Sequence, residues 1–185
     1  MANSNHKKPS KQPDSFDGSA LAAIYDEFYP PIYRYIYRQV SDLETARDLT
    51  SEVFHRLLQA VQKGNGPRQD TRAWLYRTAH NIVVDHYRRQ QHRQHLPLYE
   101  HVADDDADPV SEAEDRLAVA KVRQALNHLT PDQRQVISLK FLAGFSNMEV
   151  AHVMNKPVGA VKSLQHRALA ALQRELLPAK EKVPV

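Results

Sequence analysis

Serine followed three residues later by glutamate, just ahead of an apolar stretch, occurs three times in this chain. The instances are Ser41-Asp42-Leu43-Glu44, Ser111 to Glu114 and Ser146-Asn147-Met148-Glu149. Each reads as a capping box, in which the hydroxyl oxygen accepts from a free N–H of the first helical turn and the glutamate reaches back to the serine N–H. A fourth start, Thr130-Pro131-Asp132-Gln133, supplies a cap, a proline at the first helical position and a glutamine at the third. A chain with so many helix starts, and apolar residues recurring at helical rather than alternating spacing, belongs to the all-α class.

The stripes behind these starts divide the chain. Leu21, Ile24, Tyr25, Phe28, Ile32, Tyr35 and Ile36 mark a first helix. Pro30 and Pro31 lie inside it, and a kink or break is expected there. Leu43, Ala46, Leu49, Val53, Leu57 and Val61 line a second helix, stopped by the turn formers Lys63-Gly64-Asn65-Gly66-Pro67. A third, from about Asp70 to Gln91, buries Trp74, Leu75, Thr78, Ala79, Ile82 and Val83. From Leu96 to Pro109 no helical period is legible, and Asp104 to Asp106 form an acidic run. The spacing therefore predicts two small helical domains, 20–95 and 111–177, joined by a flexible acidic linker over 96–110. Polar tails over 1–19 and 178–185 are expected to be disordered.

Charge follows the same division. Arg68, Arg72, Arg77, Arg88, Arg89 and Arg93 are opposed only by Asp70 and Asp85; an acidic stretch follows from Glu100 to Asp115; Lys156, Lys162, Arg167 and Arg174 then make the end basic again. Two basic segments on a tether suit two polyanion-binding surfaces, although solvated helix faces carry the same composition. The chain has no cysteine, which excludes disulfides, thiolate zinc sites and cysteine nucleophiles. Met1 to Ser19 holds no apolar core for a signal peptide, and no run approaches the roughly 18 apolar residues of a membrane span. A cytoplasmic protein without membrane attachment is expected.

The C-terminal third carries the sharpest motif. After the Ser146 cap comes a short helix with Val150, Ala151 and Val153 inward; Asn155 suits a left-handed turn and Pro157 opens the next helix. On that helix Val161, Leu164, Gln165, Ala168 and Leu172 share one face. Gly159, Lys162, Ser163 and His166 share the other, with Arg167 at its edge. This is a helix-turn-helix whose outer face offers donors to phosphates and base edges; plain bundle packing can produce the same hairpin. The segment Arg72 to Arg89 mixes Arg, His, Asn and aromatic residues outside its core stripe, a combination suited to unstacked single-stranded DNA.

On these segments, together with Ala46-Arg47-Asp48-Leu49-Thr50-Ser51-Glu52-Val53-Phe54 and Leu129-Thr130-Pro131 through Arg167-Ala168-Leu169, the chain resembles the extracytoplasmic-function (ECF) group of bacterial sigma factors, from about Leu21 to Leu176. The resemblance implies sigma region 2 over 20–95 and region 4 over 111–177. It further implies that Asp48, Leu49, Glu52 and Phe54 meet the β′ clamp of core RNA polymerase. Arg77, Asn81, Asp85, Arg88 and Arg89 would read and melt the minus-ten element, and Lys162, Ser163, His166 and Arg167 would bind the minus-thirty-five duplex. Region 4 would also touch the β flap, and the linker would thread toward the RNA-exit region, as a nucleic-acid mimic or as a solvating spacer. An anti-sigma factor is an implied partner. The chain departs from the family pattern at Ser51 (often Gln), Ala160 (usually Thr) and Leu164 (often Arg), so no promoter sequence carries over.

Two rivals explain less. A conventional repressor with a dimerisation bundle accounts for the helix-turn-helix but not for Arg72 to Arg89. A metalloenzyme is suggested by ten histidines, yet His92 and His95 have carboxylate neighbours only in an irregular linker. No Gly-rich phosphate loop and no nucleophile–base pair can be recognised. Hence no catalytic residue, metal or cofactor is expected, and RNA synthesis would belong to the polymerase.

Overall fold

The computed structural model describes residues 18–67, 69–93 and 113–177, and all the regular structure in them is helical. In chain order the helices are α1 (Gly18–Val40), α2 (Leu43–Gln62), α3 (Thr71–Arg93), α4 (Ala113–Asn127), α5 (Pro131–Ile137), α6 (Asn147–Met154) and α7 (Val158–Leu176). A π-helical turn, Ser138–Leu142, continues α5. The linker expected over 96–110, the C-terminal tail and Ser111 lie outside the described residues, as does most of the N-terminal tail; α1 already begins at Gly18.

The first group of helices is α1 to α3, closed around Ile32, Ile36, Ala46, Val53, Leu57, Leu75 and Val83. Of the kink or break expected at Pro30 and Pro31, the break does not occur: α1 runs uninterrupted through both. Neither proline can donate to the carbonyl four residues back, yet packing on either side of them keeps the helix continuous. Ile32, Tyr35 and Ile36 are buried on one side, while the rings of Tyr25, Tyr29, Tyr33 and Tyr37 follow one another along the helix at 5.0 to 6.3 Å, bridging the proline pair. The α2 cap also falls one residue later than expected. Asp42 Oδ1 accepts from Thr45 N at 2.7 Å, and Ser41 takes the left-handed φ of 56°. An aspartate is as good an N-cap as a serine, so the residue with extended backbone takes the role. Trp74 lies half-buried at the core's edge.

The second group is α4 to α7. Thr130 and Ser146 form the two expected capping boxes, with Gln133 and Glu149 reaching back. Asn155 closes α6 in the left-handed conformation (φ 50°, ψ 46°), and Pro157 stands immediately before α7. Where the sequence suggested α-helix up to Gly144, the last turn is π: Ala143 N donates to Ser138 O at 2.9 Å, and Gly144 follows at φ +71°. The extra residue per turn leaves Phe141 and Leu142 exposed and brings Phe145 to 1% exposure.

The two groups do not stand apart as a tether alone would suggest. α3 lies against α6, and α1 against α5 and the π turn, so that Val136, Leu139, Phe145, Val150 and Val153 join the same hydrophobic cluster as Ile32, Ile36 and Leu75.

Candidate nucleic-acid interface

Along α3, Arg77, Asn81, Asp85 and Arg88 recur at helical spacing, with Arg89 beside them. All five therefore lie within one broad face about 16 Å long from Arg77 to Arg88. Arg77, Asn81, Arg88 and Arg89 are exposed, and Asp85 is half-buried. Asp85 Oδ1 meets Arg88 Nη2 at 3.2 Å, which fixes that guanidinium without neutralising Arg89 or Arg77. Arg77 reaches toward the second group, Nη1 to His152 Nε2 at 3.4 Å. Arg72, in the same basic segment, is not available to DNA in this arrangement. Its guanidinium lies 4.2 Å above the Phe145 ring and donates to the Ala143 carbonyl.

On α7, Val161, Leu164 and Ala168 are buried, whereas Lys162, Ser163, His166 and Arg167 are all exposed, as the helix-turn-helix reading requires. The Ser163 hydroxyl donates to Gly159 O at 3.0 Å and Arg167 Nε to Ser163 O at 3.3 Å. These bonds leave the Ser163 oxygen as an acceptor and the remaining Arg167 N–H groups as donors. No side chain caps the start of α7, so its first N–H groups add a positive helix end to the cationic face.

The four residues assigned to polymerase contact divide. Asp48 is exposed, Leu49 and Glu52 are half-buried, and Glu52 pairs with Arg56 at 2.8 Å. Phe54 is only 6% exposed, with ring centroids 4.9 Å from Tyr25 and 5.9 Å from Tyr29. It supports the α1–α2 face from inside. Leu58, farther along α2, stands 45% exposed, an apolar residue off the core stripe.

Sequence reasoning missed the polar seam between the two groups. Gln39, 1% exposed, donates from Nε2 to Ser138 Oγ at 3.1 Å. Its carbonyl accepts from Arg134 Nη1 at 2.9 Å and from the Tyr87 hydroxyl. The same Arg134 donates to the carbonyls of Leu126 and Asn127, each at 3.0 Å, closing the end of α4. One planar guanidinium with five donors can serve both helices at once. His80 of α3 is also buried here, facing Gln135, Asp132 and Lys156 of the second group, and burial lowers its pKa below the ordinary imidazole value. A single glutamine, arginine or histidine carries no sequence mark of being an interface residue. Among the described residues no three His, Asp or Glu side chains gather as a metal site would need, and no helix is long and apolar enough to cross a membrane.

Comparison with known proteins agrees with this fold. Residues 24–93 match the model of Sigma-70 region 2, and residues 120–172 that of Sigma-70 region 4. The chain is 34% identical to the ECF RNA polymerase sigma factor BldN of Streptomyces coelicolor, over 94% of this chain and 70% of that protein. It is 30% identical to SigX of Bacillus subtilis, over 83% of this chain and 81% of that one. Among solved structures, the sigma factor RpoE of Bartonella quintana, in complex with the anti-sigma factor NepR, shares the fold. Its TM-score is 0.71 at 23% identity, covering 86% of this chain and 98% of that one. The chain belongs to the ECF group of the sigma-70 family, the specificity factors that direct RNA polymerase to promoters.

Proposed function

We propose that the two helical groups divide promoter recognition between them. α3 takes the minus-ten element through Arg77, Asn81, Asp85, Arg88 and Arg89 and assists its melting. α7 takes the minus-thirty-five duplex through Lys162, Ser163, His166 and Arg167. The observation that carries this reading is the presence of two separate exposed basic faces, one on a long helix and one on the second helix of a helix-turn-helix. Asp48, Leu49 and Glu52 of α2 are proposed to meet the β′ clamp, with Phe54 holding their face in shape, and the second group to meet the β flap. The chain itself catalyses nothing in this scheme. An anti-sigma factor that covers these faces is proposed from the RpoE likeness, since that protein was solved with one.

The packed arrangement bears on mechanism. Elements about 25 base pairs apart are separated by roughly 85 Å at about 3.4 Å per base pair. A compact chain of this length has a radius of gyration of only about 16 Å. Both faces therefore reach their elements only when α3 parts from α6. Unstacking promoter bases costs a few kcal/mol each, more than one small helical group supplies, so polymerase binding is needed to offset both opening steps. Run-off transcription with core polymerase on genomic DNA tests the reading. Discrete promoter-initiated transcripts that require this chain are expected. Strong specific duplex binding by the isolated protein, indifferent to core polymerase, would instead favour a conventional repressor.

A further inference from the structure

Between the two helical groups lies a small, partly open cleft. Arg34, Tyr35 and Arg38 of α1 and Tyr76 of α3 line one side, and Ser138 and its π-turn neighbours line the other. Two features of its walls are costly as they stand. Arg38 is half-buried, and that burial, followed by the like charges of Arg34 and Arg123, holds its pKa below the usual guanidinium value. Among the described residues no carboxylate pairs with Arg34, Arg38 or Arg123. Tyr35, 3% exposed, keeps its hydroxyl buried with no hydrogen-bond partner. Burial pushes that phenol's pKa far up, so it remains a donor. A half-buried guanidinium without a carboxylate partner, an exposed one beside it and an orphan O–H all suit the same thing, an anion with several acceptor oxygens.

We propose that this cleft binds a small phosphate-class oxyanion, with Arg34 and Arg38 as counter-charges and the Tyr35 hydroxyl as a donor. The far wall belongs to the second helical group, so parting the groups dismantles the site. A ligand that binds only the packed arrangement must shift the balance toward it. Resting on the sigma-factor reading, this makes the bound anion a restraint on polymerase engagement. The binding itself requires no polymerase, and its test stands apart from that reading.

Inorganic phosphate is titrated calorimetrically into the full chain at ionic strength held constant with chloride. Saturable binding and a phosphate-dependent rise in Tm are expected. Arg34→Gln combined with Arg38→Gln should weaken binding by about tenfold or more, because charge-assisted bonds are lost. Tyr35→Phe keeps its ring in the core and should weaken it severalfold, with helical content by circular dichroism confirming that each variant folds. A nucleoside diphosphate in place of phosphate separates the sources: tighter binding points to a phosphate ester as ligand, equal binding to the free ion. A phosphate response no different from chloride, or equal binding by wild type and the double arginine variant, would overturn the proposal.

Discussion

Arg72→Ala is the cleanest way to ask whether the packed arrangement is held by side chains or only by apolar burial. Arg72 sits in the first turn of α3, and both of its recorded contacts, the Ala143 carbonyl and the Phe145 ring, belong to the second helical group. Its loss should spare each group while weakening their union. A hydrogen bond from a charged donor is worth about 1.5–3 kcal/mol, and a cation over a ring at a half-exposed site about 0.5–1 kcal/mol. One guanidinium makes both, so about 2–3 kcal/mol together is a fair figure, roughly a 30- to 150-fold shift toward the open form. Ala143 O is rehydrated on opening, so no orphan acceptor adds to the cost. The chain has no cysteine, so one pair introduced at the exposed positions Ser51 and Ala170 can carry donor and acceptor dyes without background. Energy transfer should fall in the variant while far-ultraviolet circular dichroism stays unchanged. Arg72→Lys should recover only part of the loss, because an ammonium lacks the planar fork. If transfer efficiency in the alanine variant matched the parent, the Arg72 contacts would not be a latch. If opening precedes polymerase binding, apparent affinity for core enzyme should also rise, up to the reciprocal of the parent's open fraction.

Other expectations follow from the same structure. Arg88→Ala with Arg89→Ala removes two exposed guanidinia at a stability change within about 0.5 kcal/mol. Permanganate footprinting should show promoter opening impaired far more than core binding, and untouched cognate transcription would remove α3 from the minus-ten role. His80 has its pKa lowered mainly by burial, so the packed state binds fewer protons than a state that exposes the ring. Stability should be complete above about pH 6.5 and decline as pH falls below it. Urea midpoints from pH 7.5 to 5 should show this component in the parent and not in His80→Gln; a constant difference between the two across that range would refute the assignment. Ser146→Ala removes the α6 cap and should cost about 1 kcal/mol by denaturant unfolding.

The helices were legible because their determinants are local. The Thr130 and Ser146 boxes, the left-handed Asn155 and the exposed Lys162–His166 face all follow from residues within a few positions of one another. The misses share a different cause. Whether Pro30 and Pro31 break α1 depends on packing along its whole length, and the burial of Phe54 depends on Tyr25 and Tyr29 of another helix. The π turn depends on where Phe145 must go. The seam of Gln39, Arg134, Tyr87 and Ser138 joins residues up to 99 positions apart, and periodicity holds no information at that range. The resemblance assigned roles to exposed faces, but it could not say that Arg77 would meet His152 of the chain's own second half.

The packing of one half on the other sets the energetic problem the protein has to solve. The seam is made of a few directed contacts around Gln39 and Arg72 laid over shared apolar surface, including Phe145 against Tyr76 at 5.0 Å. Each polar contact contributes on the order of 1 kcal/mol net, so the seam can be strong enough to dominate in the free protein yet weak enough for a large partner surface to displace. Arg77 makes the competition direct, because a residue assigned to promoter DNA is the one that meets His152 of the helix-turn-helix. Opening the seam then frees one guanidinium of the proposed minus-ten face, whose Asn81, Arg88 and Arg89 are exposed in the packed arrangement as well. Variants that loosen the seam should accordingly bind promoter-length single strands more tightly even without polymerase, whereas Arg88→Ala with Arg89→Ala should bind them less tightly in either state. Measuring both in one fluorescence-anisotropy series separates the release of Arg77 from the loss of the proposed face, and equal affinity of Arg72→Ala and parent for the strand would show that the seam does not restrain Arg77.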